Sequence, residues 1–395
     1  MPTMLKFQNI DVLEFDFDTN QYEILNKEFL PFLLRDRIRQ SQDIAMLSVN
    51  EQISALVANK DAMMDFFTNR CIDISRTNAK FILNALGLSQ QIDRENALRI
   101  MFVCKGLSAS DDYWFASSAG DTWEDVCLRS NPLHETLSHV ALFGDTTASI
   151  TGEVRTPELT NQGAYPKSWR RENGRLYLQK GSKGDRAAEQ EVCTSLVLDC
   201  TNVPHVHYWL EEAEGLKISV CKSMCNDEVS IVPAHDFIRW CEYTGRNTLE
   251  EVCRIDEENF NRMLVTDYLI ANPDRHGKNW GFYMDASSGE LLSLHPLFDH
   301  NLSFDRGTIA HPEGGYSLLF PRRTKKDVAM EAIQKCDFHF TSKVSESCFL
   351  EGYHAEAFGE RCRKLGLNPH FTKSYAVGVG DGRKGAPGNA TLPCK

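Results

Sequence analysis

The feature of this sequence that most constrains its fold is a polar loop directly after an apolar helix. Residues 260–271 carry apolar side chains at helical spacing, and Asn272-Pro273 ends the pattern because proline cannot continue a helix. The next residues place Asp274 and Asn279 five positions apart on a loop. A carboxylate can orient a hydroxyl group and accept its proton, and carboxylate and amide oxygens are ligands that Mg²⁺ prefers. This pairing is typical of phosphoryl transfer.

A second acid follows one predicted hairpin later. Residues 280–284 and 291–297 are predicted to form two short strands joined by a polar turn, and Asp299 comes directly after the second strand. Since a hairpin returns the chain to the end from which it started, we expect Asp299 to lie close to Asp274. Its carboxylate would supply a further oxygen ligand for Mg²⁺.

A lysine-bearing hairpin precedes these acids in the chain. Residues 151–182 predict strands interrupted by a glycine turn at Gly163 and by Asn173-Gly174. Asn-Gly is the strongest short hairpin signal, because both residues tolerate positive φ. The strand that returns from this turn ends at Lys180, the position at which protein kinases place the lysine that holds the α- and β-phosphates.

A predicted helix at 185–199 offers a partner for that lysine. It carries Glu189 and Glu191, and either carboxylate can pair with Lys180. Two further strands are predicted at 205–211 and 216–221, followed by helices over 234–271 and 325–365.

This order of elements indicates an α+β protein with a two-lobed, protein-kinase-like catalytic region, which has a small antiparallel β lobe and a larger helical lobe. The first 145 residues predict helices at 75–88, 93–104 and 132–142 and no β-rich unit. We predict four segments: 1–148, mostly helical and of unknown role; 149–233, the β lobe with the hinge; 234–375, the helical lobe; and 376–395, a disordered tail.

The motifs resemble those of the HipA-like serine/threonine kinases, a family related in fold to protein kinases and phosphoinositide kinases. The resemblance covers residues 150–365, and its most specific part is 272–279, which is similar to the family's N-x-D-R-H-x-x-N loop. Four further segments resemble family motifs: 163–167 the G-A-Q-x-K loop, with Tyr165 in place of Gln; 176–180 the strand ending in the ATP-binding lysine; 188–192 the start of the N-E helix; and 297–299 the P-x-[FY]-D metal motif.

The resemblance implies a role for each candidate residue. Asp274 would be the catalytic base, and His276 would support the loop or touch phosphate. Asn279 and Asp299 would bind Mg²⁺. ATP would be held by a larger set: Lys180, Gly163, Ala164 and Glu191 around the phosphates, and Met224 and Cys225 at the hinge beside adenine.

The family also suggests a form of control. A serine in the phosphate loop of its members can be autophosphorylated, which ejects the loop. Thr160 and Ser168 flank the corresponding segment here, so one of them is a hypothetical autophosphorylation site.

Composition bears on partners and compartment. The net charge is -12, so we expect no direct contact with nucleic acid. The 13 cysteines include no C-x-x-C pair, which favours reduced thiols and a cytoplasmic location. No stretch approaches the roughly 18 apolar residues of a membrane helix. The expected partners are a protein substrate and a small helix-turn-helix antitoxin.

Three alternative functions remain open from the sequence. The first is a kinase for a small molecule or a lipid headgroup, since the catalytic residues do not separate it from a protein kinase. The second is a nucleotide-binding pseudokinase that acts as an interaction module. The third is a metal-dependent hydrolase built on Asp274, His276, Asp299 and His300.

Overall fold

Helices and antiparallel sheets alternate along the chain in a computed structural model that describes residues 3–116, 120–152, 154–311 and 313–373. The strands are β1 Thr3–Phe7, β2 Ile10–Asp16, β3 Gln21–Ile24, β4 Tyr113–Ala116, β5 Lys167–Glu172, β6 Arg175–Gly181, β7 Tyr208–Ala213, β8 Leu216–Lys222, β9 Val229–Pro233, β10 Gly281–Asp285, β11 Leu291–Leu294, β12 Val344–Ser345 and β13 Phe371–Thr372. The helices are α1 Ser41–Ala45, α2 Val49–Arg70, α3 Ala79–Ala85, α4 Arg94–Val103, α5 Trp123–Val126, α6 Glu135–Phe143, α7 Ala187–Leu198, α8 Ala234–Thr244, α9 Thr248–Leu269, α10 Arg306–Ala310, α11 Lys325–Ala332 and α12 Gly352–Lys364, with one 3₁₀ helix at Glu346–Cys348. The tail predicted at 376–395 lies outside the described residues.

An antiparallel sheet opens the chain, so the prediction of no β-rich unit before residue 145 is wrong. Its strand order is β3-β2-β1-β4. In β2 the side chains of Leu13 and Phe15, on one face, are buried, whereas those of Glu14 and Asp16, on the other face, are only half-buried. Acids interspersed among apolar residues are the pattern of a strand with one solvated face, and here they fall within a strand rather than a helix or loop.

The predicted lysine hairpin is confirmed as the pair β5 and β6. Asn173 and Gly174 form its turn with positive φ values of 50° and 75°. The two strands belong to a four-stranded antiparallel sheet of order β5-β6-β8-β7. Within it Lys180 of β6 lies opposite Lys167 of β5 and Ser219 of β8.

Helix α7 packs against β7 and β8 and carries Glu191 on its buried side. A three-stranded sheet of order β11-β10-β9 follows on the other side of the cavity described below. Its strands β10 and β11 match the predicted hairpin. Strand β9, which pairs with β10, was not predicted, because its five residues do not show where their partner lies.

The continuous helical prediction over 325–365 is wrong in its middle. Helices α11 and α12 are present, but residues 333–351 form turns, β12 and the 3₁₀ helix. Phe338 and Val344 are buried in this stretch, and Phe340 packs against the same core. Their spacing matches extended chain better than a helix, and the periodicity of the flanking helices masked this.

One hydrophobic cluster joins the N-terminal sheet to helices α8 and α9. Phe32 contacts Phe237 and Trp240 of α8, with ring centroids 5.6 and 5.4 Å apart. Phe237 also lies 4.8 Å from Phe282 of β10. The domain boundaries and the two-lobed arrangement stay predictions. Among the described residues, no helix is both long and apolar enough to span a membrane.

Truncating Phe237 tests this shared core. Phe237→Ala should lower the free energy of unfolding by about 3–5 kcal/mol, because it removes a ring that contacts three aromatic neighbours and leaves a cavity. Urea unfolding followed by circular dichroism measures the change. The matched control is Leu292→Ala on β11, where the side chain is 48% exposed and the expected change is within about 0.5 kcal/mol. Equal effects of the two substitutions would contradict the proposed core.

Candidate active site

A cavity of about 510 Å³ collects the candidate residues. Its volume is in the range of ligand-binding pockets. Nine of the ten predicted site residues line it: Gly163, Ala164, Lys180, Met224, Cys225, Asp274, His276, Asn279 and Asp299. The tenth, Glu191, lies behind Lys180 and is bonded to it. Residues that are far apart in the sequence therefore face one space.

A buried ion cluster lies at the centre of this cavity wall. The Lys180 Nζ donates to Glu191 Oε1 at 3.2 Å and also to Asp299 Oδ1. Ser219 Oγ donates to the other Glu191 oxygen at 2.8 Å. Glu189 instead pairs with Arg186 and Lys217 at the surface, so Glu191 is the partner of the lysine.

The ion cluster keeps Lys180 and Asp299 charged despite their burial. Burial alone would favour neutral Lys180, but Asp299 and Glu191 outweigh it and raise the pKa of this lysine. Burial opposes ionisation of Asp299 as well, and the positive charges of Lys180 and Lys167 hold its pKa below the usual range. Asp299 is therefore a carboxylate at neutral pH.

Asp299 has an unusual backbone conformation. Its φ is +60°, in the left-handed region that few non-glycine residues occupy, although aspartate tolerates it better than most. The preceding segment is held in place by the residues just before β7, because Val206 N donates to Leu297 O at 2.8 Å and Leu297 N donates to Pro204 O at 2.9 Å. Strained backbone of this kind is common at functional sites.

The loop after α9 positions Asp274 through its own amides. Asp274 N donates to Asn272 Oδ1 at 3.0 Å, and Asn279 Nδ2 donates to Asp274 O at 2.9 Å. Burial, opposed by His276 and assisted by the negative charge of Asp299, raises the pKa of Asp274. His276 is 46% exposed, and its Nε2 lies 3.8 Å from Asp274 Oδ2.

Arg275 is a site residue that the sequence reasoning missed. It is 3% exposed, and its guanidinium bonds to both carboxylate oxygens of Asp267 on α9. It also donates to Asn279 O and, at 3.1 Å, to Phe298 O, the carbonyl just before Asp299. One side chain thus connects the helix, the catalytic loop and the candidate metal acid. Pairs eight residues apart across a proline break have no periodic signature in a sequence.

The glycine turn predicted at Gly163 belongs to a longer loop, residues 158–167, here named the 158–167 loop. Gly163 has a φ of +93°, and a Cβ there would lie 2.8 Å from Lys167 Nζ. The same ammonium group donates to Gln162 O at 2.7 Å. The backbone conformation therefore favours glycine here, and a larger residue would also displace the lysine packed beneath the turn.

Tyr165 fills the position at which the sequence departs from the family pattern. Its hydroxyl donates to Asp185 Oδ2 at 2.9 Å. Its ring lies 5.8 Å from Lys180 Nζ and 5.0 Å from Lys183 Nζ. The ring therefore lies beside the central lysine while the hydroxyl ties the 158–167 loop to the turn between β6 and α7.

The two hypothetical autophosphorylation residues are both buried. Thr160 is 8% exposed and donates its hydroxyl to Leu107 O at 2.7 Å. Ser168 is 1% exposed. Modification would require the 158–167 loop to move for Thr160 and strand β5 to move for Ser168, and the hypothesis stays a prediction.

The predicted hinge lies against the N-terminal region. Ser223 N donates to Leu176 O at 2.9 Å, which fixes the segment that bears Met224. The Cys225 thiol donates to Ser110 O at 3.0 Å, and residues 108–111 line the cavity with it. Nothing in the sequence indicated that N-terminal residues contribute to this wall, because only the tertiary fold brings them there.

The four residues of the hydrolase alternative do not share the cavity. Asp274, His276 and Asp299 line it, but His300 is fully buried and burial lowers its pKa well below the usual range. Neither ring nitrogen of His300 has a hydrogen-bond partner among the described residues. Throughout the residues that the structure describes, no group of three or more His, Cys, Asp or Glu side chains is placed to hold a metal ion.

Of three comparisons with known proteins, only the one with solved structures found similar chains. No family model matches it, and neither does any curated protein. It is similar to the crystal structure of the Helicobacter pylori proinflammatory kinase CtkA, with 16% identity over 51% of this chain and 89% of that one and a TM-score of 0.39. It is also similar to a chain of the Shewanella oneidensis MR-1 HipA–HipB toxin–antitoxin system in complex with operator DNA, with 13% identity over 92% and 95% of the two chains and a TM-score of 0.46.

These likenesses assign no activity to this chain, since fold does not determine function. The function is argued below from the site itself. The expectation of no direct contact with nucleic acid stays a prediction, and the operator DNA in the second structure gives it no support.

Lys167, which lines the cavity, should make the free energy of unfolding depend on pH. Burial and the nearby charge of Lys180 lower its pKa from 10.5 to about 8. At pH 7 the amine is charged in both the folded and the unfolded state, so folding carries the full cost of burying it. Between pH 8 and 10.5 the unfolded chain binds more protons, and this cost declines as the pH rises.

Lys167→Met should therefore be more stable than wild type at pH 7, by on the order of 3 kcal/mol. The gain should shrink steadily from pH 8 to pH 10. Urea unfolding of both proteins across this range measures it, with Lys60→Met at an exposed position of α2 as the control for loss of one charge. A stability difference that does not change with pH would show that Lys167 is not held in this way.

Proposed function

We propose that this protein is an ATP- and Mg²⁺-dependent phosphotransferase, a HipA-like serine/threonine kinase that acts on a protein substrate. The observation that carries the proposal is the bonding of Lys180 to both Glu191 and Asp299 on the wall of the cavity that Asp274 and Asn279 also line. A lysine held by a helix acid, a loop acid–amide pair and a further acid are the parts that protein kinases use.

The chain's own groups would divide the work as follows. Lys180 would hold the nucleotide phosphates, and Glu191 would keep its ammonium in place. Asp274 would orient the acceptor hydroxyl and take its proton. Its raised pKa suits this role, because a general base works best when its pKa lies near the working pH. Met224 and Cys225 would face adenine across the apolar part of the cavity.

The residues present fit a magnesium ion. Asn279 uses its Nδ2 to donate to the Asp274 carbonyl, which leaves its Oδ1 as the atom available to a ligand. Asp299 is ionised. Among the described hydrogen bonds, the one from Lys180 reaches Oδ1 of this carboxylate and not its second oxygen. Two oxygen donors suit an ion that takes its other ligands from phosphates and water. Bound there, Mg²⁺ would neutralise charge on the transferred phosphoryl group.

The proposal of a small helix-turn-helix antitoxin rests on the motif resemblance alone. The proposal of a cytoplasmic location rests on the cysteine pattern of the sequence. Co-purification of the chain with the product of a neighbouring gene of that type would support the first, and fractionation of native cells would test the second.

Labelling with γ-phosphate-labelled ATP tests the function. Purified protein is incubated with labelled ATP, Mg²⁺ and bacterial lysate, beside Asp274→Asn and Asp299→Asn. Asp274→Asn removes the proposed base and Asp299→Asn removes a proposed Mg²⁺ ligand, so label transfer should fall by about 10²- to 10⁴-fold. Asp43→Asn, which changes an exposed acid on α1, is the matched control and should keep wild-type activity.

The outcomes separate the remaining alternatives. Label on a protein band that depends on both acids supports a protein kinase. ATP turnover without labelled protein would indicate a small-molecule or lipid-headgroup kinase. ATP binding with no turnover would indicate a pseudokinase, and absence of ATP binding would refute the proposal.

A further inference from the structure

We propose that Arg76, in the N-terminal region, is the positioning residue that holds the 158–167 loop over the nucleotide. This inference rests on the proposed function, because it gives the N-terminal region a part in binding ATP. Arg76 does not line the cavity and would act only through the loop.

The guanidinium of Arg76 closes the loop at both of its ends. Nη1 donates to Glu158 O at 3.0 Å, and Nη2 donates to Lys167 O. Nη2 also donates to Glu158 Oε2 at 3.0 Å. A single planar group therefore ties the first and last residues of a ten-residue loop, which a flexible amine with one charge centre cannot do in the same geometry.

The acid partner of Arg76 is equally enclosed. The Arg76 and Glu158 side chains are both 0% exposed. Glu158 Oε1 accepts from Trp169 N at 2.8 Å, and Oε2 also accepts from Asn161 Nδ2 at 3.0 Å. A buried ion pair of this kind adds little net stability, because desolvation offsets the attraction. Its main effect is therefore to select one conformation of the 158–167 loop.

Other N-terminal groups hold the same loop. Ile72 N donates to Leu159 O at 2.7 Å, and Thr77 N donates to Ala164 O at 3.0 Å. Leu107 O accepts from Thr160, and Cys71 O accepts from the Gln162 side chain. Every one of these partners belongs to residues 71–107, so the loop is fastened to the N-terminal region along its whole length.

The loop tip that these bonds hold is the part that faces the cavity. Residues 160–165 line it next to Lys180. A loop that is already ordered presents its backbone N–H groups to phosphates without an entropic cost at the moment of binding. Loosening it should therefore weaken nucleotide binding and leave the chemical step, which depends on Asp274 and Asp299, nearly unchanged.

Substitution of Arg76 tests the inference. Arg76→Lys keeps the charge and loses the fork, and we expect the Kd for a non-hydrolysable ATP analogue, measured by calorimetry with Mg²⁺, to rise at least tenfold. The KM for ATP should rise in parallel, while kcat stays within about threefold. Hydrogen exchange of the peptide spanning 158–167 should become faster. Arg99→Lys, at an exposed ion pair on α4, should change none of these quantities.

A second variant guards against a loss of folding. If Arg76→Lys lowers the unfolding midpoint so far that it is not folded at the assay temperature, the neutral pair Arg76→Gln with Glu158→Gln replaces it, because no buried charge is then left unpaired. A folded variant with wild-type affinity and loop exchange would overturn the inference while wild type still binds ATP. A fall in kcat with unchanged affinity would also overturn it. Failure of wild type to bind ATP would instead refute the proposed function.

Discussion

The interaction on which the structure depends most is a buried ion cluster of three charged side chains. Lys180, Glu191 and Asp299 come from a strand, a helix and a loop, and each would be costly to bury alone. Their mutual attraction offsets that cost only while the sheet, α7 and the segment after β11 keep their relative positions. The ion cluster therefore sets a geometric condition that the elements around it must meet.

The elements meet that condition through backbone hydrogen bonds and apolar packing. The register of β6 and β8 places Lys180 opposite Ser219, and Ser219 in turn donates to Glu191. The bonds between Leu297 and the segment just before β7 bring Asp299 to the same place. Arg275 then joins Asp267 of α9 to the carbonyl before Asp299, so the acid that would hold metal and the loop that would hold the base are positioned together.

The N-terminal region contributes to the site as well as to the core. Its sheet and helices share one hydrophobic cluster with α8 and α9, and its residues 71–77 and 107–111 contact the 158–167 loop and the hinge segment. These contacts join segments that are far apart in the chain. The prediction for 1–148 could therefore assign no role to this region. That prediction also missed β1–β3, although β1 pairs with β2 and β2 with β3 in local antiparallel hairpins, and only β1 also pairs with the distant β4.

The sequence by itself determined the local features whose cause is local. Asn173-Gly174 predicts its hairpin because two adjacent positive-φ residues fit a tight turn, and Pro273 ends a helix wherever it occurs. The spacing of Asp274, Asn279 and Asp299 along a loop and a hairpin was enough to predict that they lie close together, and all three line one cavity. Only the tertiary structure decided that Glu191 rather than Glu189 pairs with Lys180, that Arg275 bridges two loops, and that Arg76 holds the 158–167 loop. These choices depend on burial and on contacts between distant segments, and both arise only when the chain has packed.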